Sequence, residues 1–204
     1  WKKAEWMATG QNIKKTRYVD KDFNRKIFDV YSAKKIVLPD IQRELFRKHL
    51  AEVVEEVDVV VTMDFGHGLL EAAEREILMH AKFLAVNTQT NAGNHGFNLI
   101  TKYDVADFIC IDDPEARLAA GMADEPIDQV IRRGLAGHIA CSRFLVTHGR
   151  FGSVYRDHNR SGSVPAFSTG GIDTMGAGDA VMSTAAPLIA AGLPLEMAAF
   201  VGNI

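Results

Sequence analysis

The sequence predicts an α/β protein with a doubly wound, mostly parallel sheet and helices on both faces. Three observations carry that prediction. Short apolar runs, "VDVVVTM", "KFLAVN", "DFICI" and "RFLVT", recur through the middle of the chain, as expected of strands buried on both faces. Stretches with helical periodicity separate them. Turn-forming residues follow the strand ends, in "MDFGHG", "VNTQTNAG", "CIDDPE" and "VTHGRFG", where ligands of such sheets bind.

The elements follow in order. "IKKTRYVD" and "RKIFDVYS" partly alternate polar and apolar residues and read as two strands of a lid or sheet edge. From Asp40 to Glu56, the residues Ile41, Leu45, Phe46, Leu50, Val53 and Val54 recur at helical spacing. A strand ending at Asp64, the turn "DFGHG" and a helix through His80 come next. The strand "KFLAVN", the polar loop "TQTNAGNHG" and a short helical piece near Phe97 to Tyr103 precede the strand "DFICI". Helices fit Pro114 to Ala120 and Ile127 to His138, and "RFLVTHG" is another strand. Three short β-like pieces ending in "SVPAFS" lead to a glycine-rich turn. The apolar run Ala180 to Leu195 is broken by Pro187 and Pro194, is short for a membrane span, and reads as a buried helix.

No internal repeat or low-complexity linker interrupts the chain. Residues 1–204 therefore read as a single domain, with lid or edge strands over 1–35 and an α/β core over 36–204. The chain opens on edge-like strands and stops at "VGNI" within an expected helix. It is expected to be part of a longer protein, incomplete at the N-terminus and at the C-terminus.

Composition narrows the function classes. The 204 residues are 47% hydrophobic and 24% charged, ordinary globular values. A net charge of −3 and the lack of a Lys/Arg-rich tract argue against nucleic acid or an anionic membrane as partner. The two cysteines, Cys110 and Cys141, sit in apolar surroundings and suit a reducing, cytoplasmic compartment. The histidines form no HExxH or Cys/His pattern, which argues against a structural zinc site.

The stretch "STGGIDTMGAGDAVMS" carries the chemistry. Gly176 and Gly178 permit backbone angles that let successive N–H groups converge. A helix starting there offers unpaired N–H groups and a favourable dipole to an anion. Asp179 falls in the first turn, placed to accept a proton from a hydroxyl held against that anion. An ordinary glycine-rich helix entry with an acidic first turn explains the same residues, and both readings stand on physics alone. A dinucleotide fingerprint does not fit, because polar "STGGIDT" precedes "GAGDAV" where a buried strand is required. No G-K-[ST] follows, so this is not a Walker A loop.

"DTMGAGDAVMSTAA" resembles the C-terminal signature of the ribokinase-like (PfkB) carbohydrate kinases, D-T-x-G-A-G-D followed by small residues. "VVVTMDFGHGLL" is similar to the strand and glycine turn of the heptose-phosphate kinase branch. "FLVTHGRFGSVY" resembles the family's T-x-G-x-x-G nucleotide segment, and "AGLPLEMAAFVGNI" its helix pair after the catalytic turn. The resemblance implies an ATP-dependent kinase acting on a hydroxyl of a sugar or sugar phosphate. Asp179 would be the catalytic base, and the N–H groups of Gly176, Ala177 and Gly178 would hold the transferring phosphate. Asp173 would help fix a monovalent cation. Thr147, Gly149 and Gly152 would line the ATP phosphates and ribose, with Asn203 near the adenine. The family's N-x-x-E element, which organises Mg2+ through water, matches "DDPE", with Asp112 where Asn is usual and Glu115 in place.

On capping rules alone, "DDPE" is a helix start with Asp113 as cap and Pro114 in the first position. His67 stands where the family's glycine turn usually has lysine and is a candidate substrate contact. "VNTQTNAG" replaces the "DPKG" text of the heptose-phosphate branch. Lys15 and Arg17 could meet a sugar phosphate, or serve only solubility. Kinases of this family often pair through lid strands, so a homodimer is compatible with the resemblance. A nucleoside or small-alcohol kinase, and a nucleotide-binding module without catalysis, are the alternative readings.

Overall fold

The computed structural model describes residues 13–22, 25–32, 35–90, 94–167 and 176–204. Asp173, the start of the chain, part of the "TQTNAGNHG" loop and all of "STGGIDTM" lie outside the described residues.

Two strands come first, β1 (Lys14–Asp20) and β2 (Arg25–Ser32). They pair antiparallel as a two-stranded sheet of their own, separate from the main sheet. Alternation gives this sheet two unlike faces. Tyr18 stacks on Phe28 with ring centroids 4.5 Å apart, on the same side as Val30. On the other side, Lys15 and Arg17 reach Asp29 at 3.5 and 3.0 Å. The cations proposed for a sugar phosphate are thus engaged with a carboxylate of the neighbouring strand.

The core begins with α1 (Asp40–Glu56), β3 (Val60–Asp64), α2 (Ala72–Leu78) and β4 (Leu84–Thr88). A single 3-10 turn, Ile100–Lys102, stands where a longer helical piece was expected. Then come β5 (Phe108–Asp112), α3 (Asp113–Ala120) and α4 (Ile127–Gln129), which continues as a π-helical stretch, Val130–Leu135. The regular helix expected to His138 gives way there to bonds reaching five residues back, as in Ala136 N–H to Ile131 O at 2.8 Å, the π pattern. The strands β6 (Arg143–Thr147), β7 (Ser153–Asp157) and β8 (Arg160–Val164) precede α5 (Ala177–Ala190) and α6 (Leu195–Gly202). Two strands, not three, follow β6, as one hairpin turning at His158.

The main sheet has the order β3-β4-β5-β6-β7-β8. β3 to β6 run parallel, and β7 and β8 join antiparallel. Each central strand feeds two cores. Leu84, Val86, Ile109, Ile111, Phe144 and Val146 pack with Val54, Leu78, Ile131 and Leu135 on one face. Ala85, Phe108, Cys110 and Leu145 pack with Met182, Ala185, Ala186, Leu195 and Ala198 on the other. Double-sided burial explains why these strands read as unbroken apolar runs. Small residues let α5 and α6 lie close to the sheet. Pro187 falls inside α5, and the helix ends four residues before the second proline, Pro194. Cys110 is buried and Cys141 partly so, both as free thiols. Among the described residues, no helix is long and apolar enough to cross a membrane.

Candidate active site

Apart from Lys15 and Arg17 on β1, the site candidates that are described lie at the carboxyl ends of the parallel strands or on the helices facing them. At α5, Gly176 adopts φ 80° and ψ −3°, a left-handed conformation that suits glycine. It turns the chain directly into the helix, and its carbonyl accepts from Ala180 N–H at 2.9 Å. The N–H groups of Ala177, Gly178 and Asp179 therefore fall in the first turn, where a helix provides no acceptor. Residues 176–180 are exposed, and among the described residues a methyl group added to Gly176 or Gly178 would meet nothing within 4 Å. Donors and open space coincide there, and the Asp179 carboxylate shares the turn.

Asp179 has a partner that sequence reasoning missed. Gln89, just past the end of β4, donates its side-chain amide to Asp179 Oδ1 at 2.8 Å across 90 residues of chain. Its own backbone is held on both sides. Gln89 N–H donates to Asp64 O at 2.9 Å. Its carbonyl accepts from Asn98 Nδ2 at 2.9 Å and Asn94 Nδ2 at 3.0 Å. Asn98 also donates to Asp64 O at 2.8 Å. Beneath them the buried Asp64 carboxylate accepts from Tyr103 Oη at 2.8 Å and from Gly66 N–H at 2.9 Å, and it pairs with Lys102. Burial pulls the Lys102 pKa down, although Asp64 opposes the shift. The same burial and carboxylate hold the Tyr103 hydroxyl un-ionised.

The next residue makes a second link. Thr90 N–H donates to Glu115 Oε1 at 2.7 Å. Glu115 and Asp112 form a reciprocal capping box, with Glu115 N–H on Asp112 Oδ1 at 2.8 Å and Asp112 N–H on Glu115 Oε2 at 3.3 Å. The helix cap is thus Asp112, not Asp113 as capping rules suggested. Asp113 instead pairs with Arg117 at 3.0 Å and lies 3.8 Å from His148. Proline follows in the second helical position, where its missing N–H is equally harmless. Burial, and then the neighbouring Asp112 carboxylate, push the Glu115 pKa up to about 7. Asp112 is raised as well, mainly by burial.

Two adjacent carboxylates that resist ionisation side by side suit a hard divalent cation, which can replace their proton. Among the described residues no set of three or more His, Cys, Asp or Glu side chains assembles as a metal site.

The nucleotide candidates form a neighbouring group. Thr147, the last residue of β6, is in register with Asp112 on one side and with Ser153 on the other. Between Thr147 and Ser153 the chain makes a tight turn, closed by His148 N–H to Gly152 O at 2.7 Å and Gly152 N–H to Gly149 O at 3.0 Å. Gly152 has φ 87° and ψ −132°, and a Cβ there would lie 2.0 Å from Val164 O, so no other residue fits. Asn203, at the end of α6, donates to Ser153 Oγ at 3.0 Å. Thr147, Gly149, Gly152 and Asn203, distant in sequence, therefore share one neighbourhood. His67 lies in the turn after β3, where its carbonyl accepts from Ile36 N–H at 2.7 Å and its ring stacks near Phe65.

The missed residues, Asp64, Gln89, Thr90, Asn94, Asn98 and Lys102, lie in segments recognised as a strand end, the polar loop and the short helical piece after it. For Gln89, Thr90, Asn94 and Asn98 the signal was the unusual number of amide side chains in "VNTQTNAGNHGFN".

A mostly parallel sheet with an open helix N-terminus at its carboxyl edge defines the class of ribokinase-like α/β proteins. Residues 40–204 match the pfkB family of carbohydrate kinases, and the chain belongs to that family. It is 30% identical over 158 residues to the bifunctional protein HldE of Pseudomonas fluorescens, covering 75% of this chain and 32% of that protein. It is 25% identical over 160 residues to HldE of Helicobacter hepaticus, covering 77% and 33%. The chain thus spans about a third of the length of these curated relatives. Among solved structures, Escherichia coli phosphofructokinase-2 in complex with fructose-6-phosphate is similar with a TM-score of 0.69 at 11% identity, over 93% of this chain and 62% of that one. The nucleoside kinase of Burkholderia thailandensis in complex with inosine gives 0.64 at 18% identity, over 94% and 58%. Ribokinase from Thermotoga maritima gives 0.62 at 15%, over 92% and 59%.

Proposed function

We propose that the protein is an ATP-dependent kinase that transfers the γ-phosphate of ATP to a hydroxyl of a sugar or sugar phosphate. The observation that carries this reading is the start of α5. There, among the described residues, N–H groups without a helical acceptor, open space and the Asp179 carboxylate share one helical turn.

In the proposed reaction, the acceptor hydroxyl gives its proton to Asp179 while its oxygen bonds to the γ-phosphorus. The bond from that phosphorus to the β,γ-bridging oxygen breaks, and ADP leaves with the electron pair. The N–H groups of Gly176, Ala177 and Gly178 would face the charge spread over the transferring group, fixed in advance by the helix. Thr147, Gly149 and Gly152 would border the nucleotide, with Asn203 closing its far side. Asp112 and Glu115 would hold Mg2+, which when bound offsets phosphate charge. A monovalent cation beside Asp173 belongs to the same reading, as does pairing of two copies through β1 and β2, which expose Tyr18, Phe28 and Val30.

The test uses the full-length protein with Mg-ATP and a panel of sugars, sugar phosphates and nucleosides. Asp179→Asn should lower kcat by about 10²–10⁴-fold, the range for losing a positioned base. Calorimetric ATP affinity should hold. Turnover near the wild-type rate in that variant would remove the mechanism. A panel in which only nucleosides react would move the acceptor to that class.

A further inference from the structure

We propose that Gln89 is the positioning residue for Asp179, aiming its carboxylate at the acceptor hydroxyl and joining the base to the carboxylate pair at α3. This rests on the kinase reading above. Gln89 Nε2 holds one Asp179 oxygen, Oδ1, at 2.8 Å, leaving the other to receive a proton.

The construction behind that single contact is what distinguishes it from a chance surface hydrogen bond. Gln89 belongs to a loop, yet both of its backbone groups are tied down by partners that are themselves buried. Asp64, at 5% exposure, supplies the acceptor for its N–H, and Asn98 at 2% and Asn94 at 8% supply donors for its carbonyl. A buried amide pair clamping one carbonyl leaves the residue little backbone freedom, so its side chain departs from a fixed origin. Such support fixes the geometry of a group that must act on another. Thr90, next in the chain, delivers its N–H to Glu115 at 2.7 Å. One dipeptide at the end of β4 thus touches the proposed base through a side chain and the proposed cation ligand through the backbone.

A carboxylate at an exposed helix start has rotamers pointing away from the sheet as well as toward it. An amide donor on one oxygen selects among them. Near-attack geometry is sensitive to such selection, and small misplacement costs rate more than binding. Gln89 is accordingly expected to act on kcat, with little effect on nucleotide affinity.

The experiment compares wild type, Gln89→Met and Gln89→Lys in the full-length protein, with Mg-ATP and the acceptor that the panel identifies. Gln89→Met keeps length and loses the donor, and kcat should fall about 10-fold or more, the scale of one hydrogen bond to a charged group. Its KM for ATP and its thermal midpoint should stay at wild-type values. Gln89→Lys restores a donor of similar reach and should recover kcat to within a few-fold. If Gln89→Met retains kcat within twofold while Asp179→Asn is inactive, the positioning role is wrong and the kinase reading stands. The role is equally wrong if Gln89→Met loses rate only in step with its thermal midpoint, or if Gln89→Lys is as slow as Gln89→Met. If wild type phosphorylates nothing in the panel, both readings fall together.

Discussion

The backbone N–H of Thr90 donates to Glu115 Oε1 at 2.7 Å, immediately after Gln89 has reached Asp179. This places the end of β4 between two groups of candidate residues that the chain separates widely. On one side is the turn at Gly176–Asp179, and on the other the cap at Asp112–Glu115. The cap is in turn connected by sheet register to Thr147 and Ser153, and through Ser153 to Asn203. The proposed base, cation ligands and nucleotide contacts are thus joined by hydrogen bonds and strand pairing along one edge.

Glu115 gives a pH signature. Its pKa is raised to about 7, so the folded chain holds a proton that the unfolded chain releases near pH 4.5. The fold therefore loses stability as pH rises from about 4.5 to 7, by up to about 3 kcal/mol. Glu115→Gln keeps a side-chain acceptor for the cap and removes the ionisation. Urea titrations at pH 5 and 8 should show that drop in wild type and not in the variant. The proton also competes with a cation, so Mg2+ activation of wild type should need more metal at pH 6 than at pH 8.

The two glycines of the α5 turn should respond oppositely. Gly176→Ala must hold a side chain at φ 80° and should lose about 1–2 kcal/mol of stability. Gly178→Ala sits in helical backbone with open space around it and should be stabilised by about 0.5–1 kcal/mol. Its methyl group would project into the space assigned to the transferring phosphate. A more stable protein with impaired phosphoryl transfer is the expected outcome, read by thermal unfolding and a coupled kinase assay.

Gly152→Ala meets backbone, not side chain, since Val164 O would lie 2.0 Å from the new atom. The turn after β6 must shift, at a cost of about 1–3 kcal/mol. Because that turn is the proposed nucleotide border, KM for ATP should rise in the folded fraction. Unchanged ATP affinity would argue against Gly149 and Gly152 as nucleotide contacts.

Glu74 anchors α1 to α2. It is fully buried, accepts from Arg43 at 3.0 Å and Arg47 at 2.8 Å, and closes the cap of α2 on Glu71 N–H at 2.9 Å. Burial works against its ionised form, but the bonds from Arg47 and Arg43 leave its pKa lowered. That contribution is present above pH 4.5 and is lost as pH falls. Glu74→Ala should destabilise by about 3 kcal/mol at pH 7 and less at pH 4, measured by urea unfolding.

Sequence patterns were sufficient for the frame because burial leaves a periodic trace. The limits of α1 were legible to the residue, and β3 to β6 were visible as apolar runs. What escaped was geometry that periodicity does not encode. The π-helical stretch after Gln129 satisfies the same apolar spacing as an α-helix until backbone pairing is seen. The choice of Asp112 over Asp113 as cap depends on which carboxylate faces Glu115 N–H. "DTMGAGD" indicated the turn at α5, yet nothing in the sequence tied Gln89 to Asp179, since that contact exists only once β4 and α5 are packed on one sheet.

The separate β1–β2 ladder has a further consequence. Among the described residues its ladder bonds pair its own two strands, and Tyr18, Ile27, Phe28 and Val30 stay about half exposed. A lone pair of strands has marginal cohesion. Its amides should exchange with deuterated solvent well before those of β4, β5 and β6, which are sealed on both faces. Protection appearing in β1 and β2 on addition of a ligand or a second copy would therefore report that the ladder has become covered, independently of any turnover measurement.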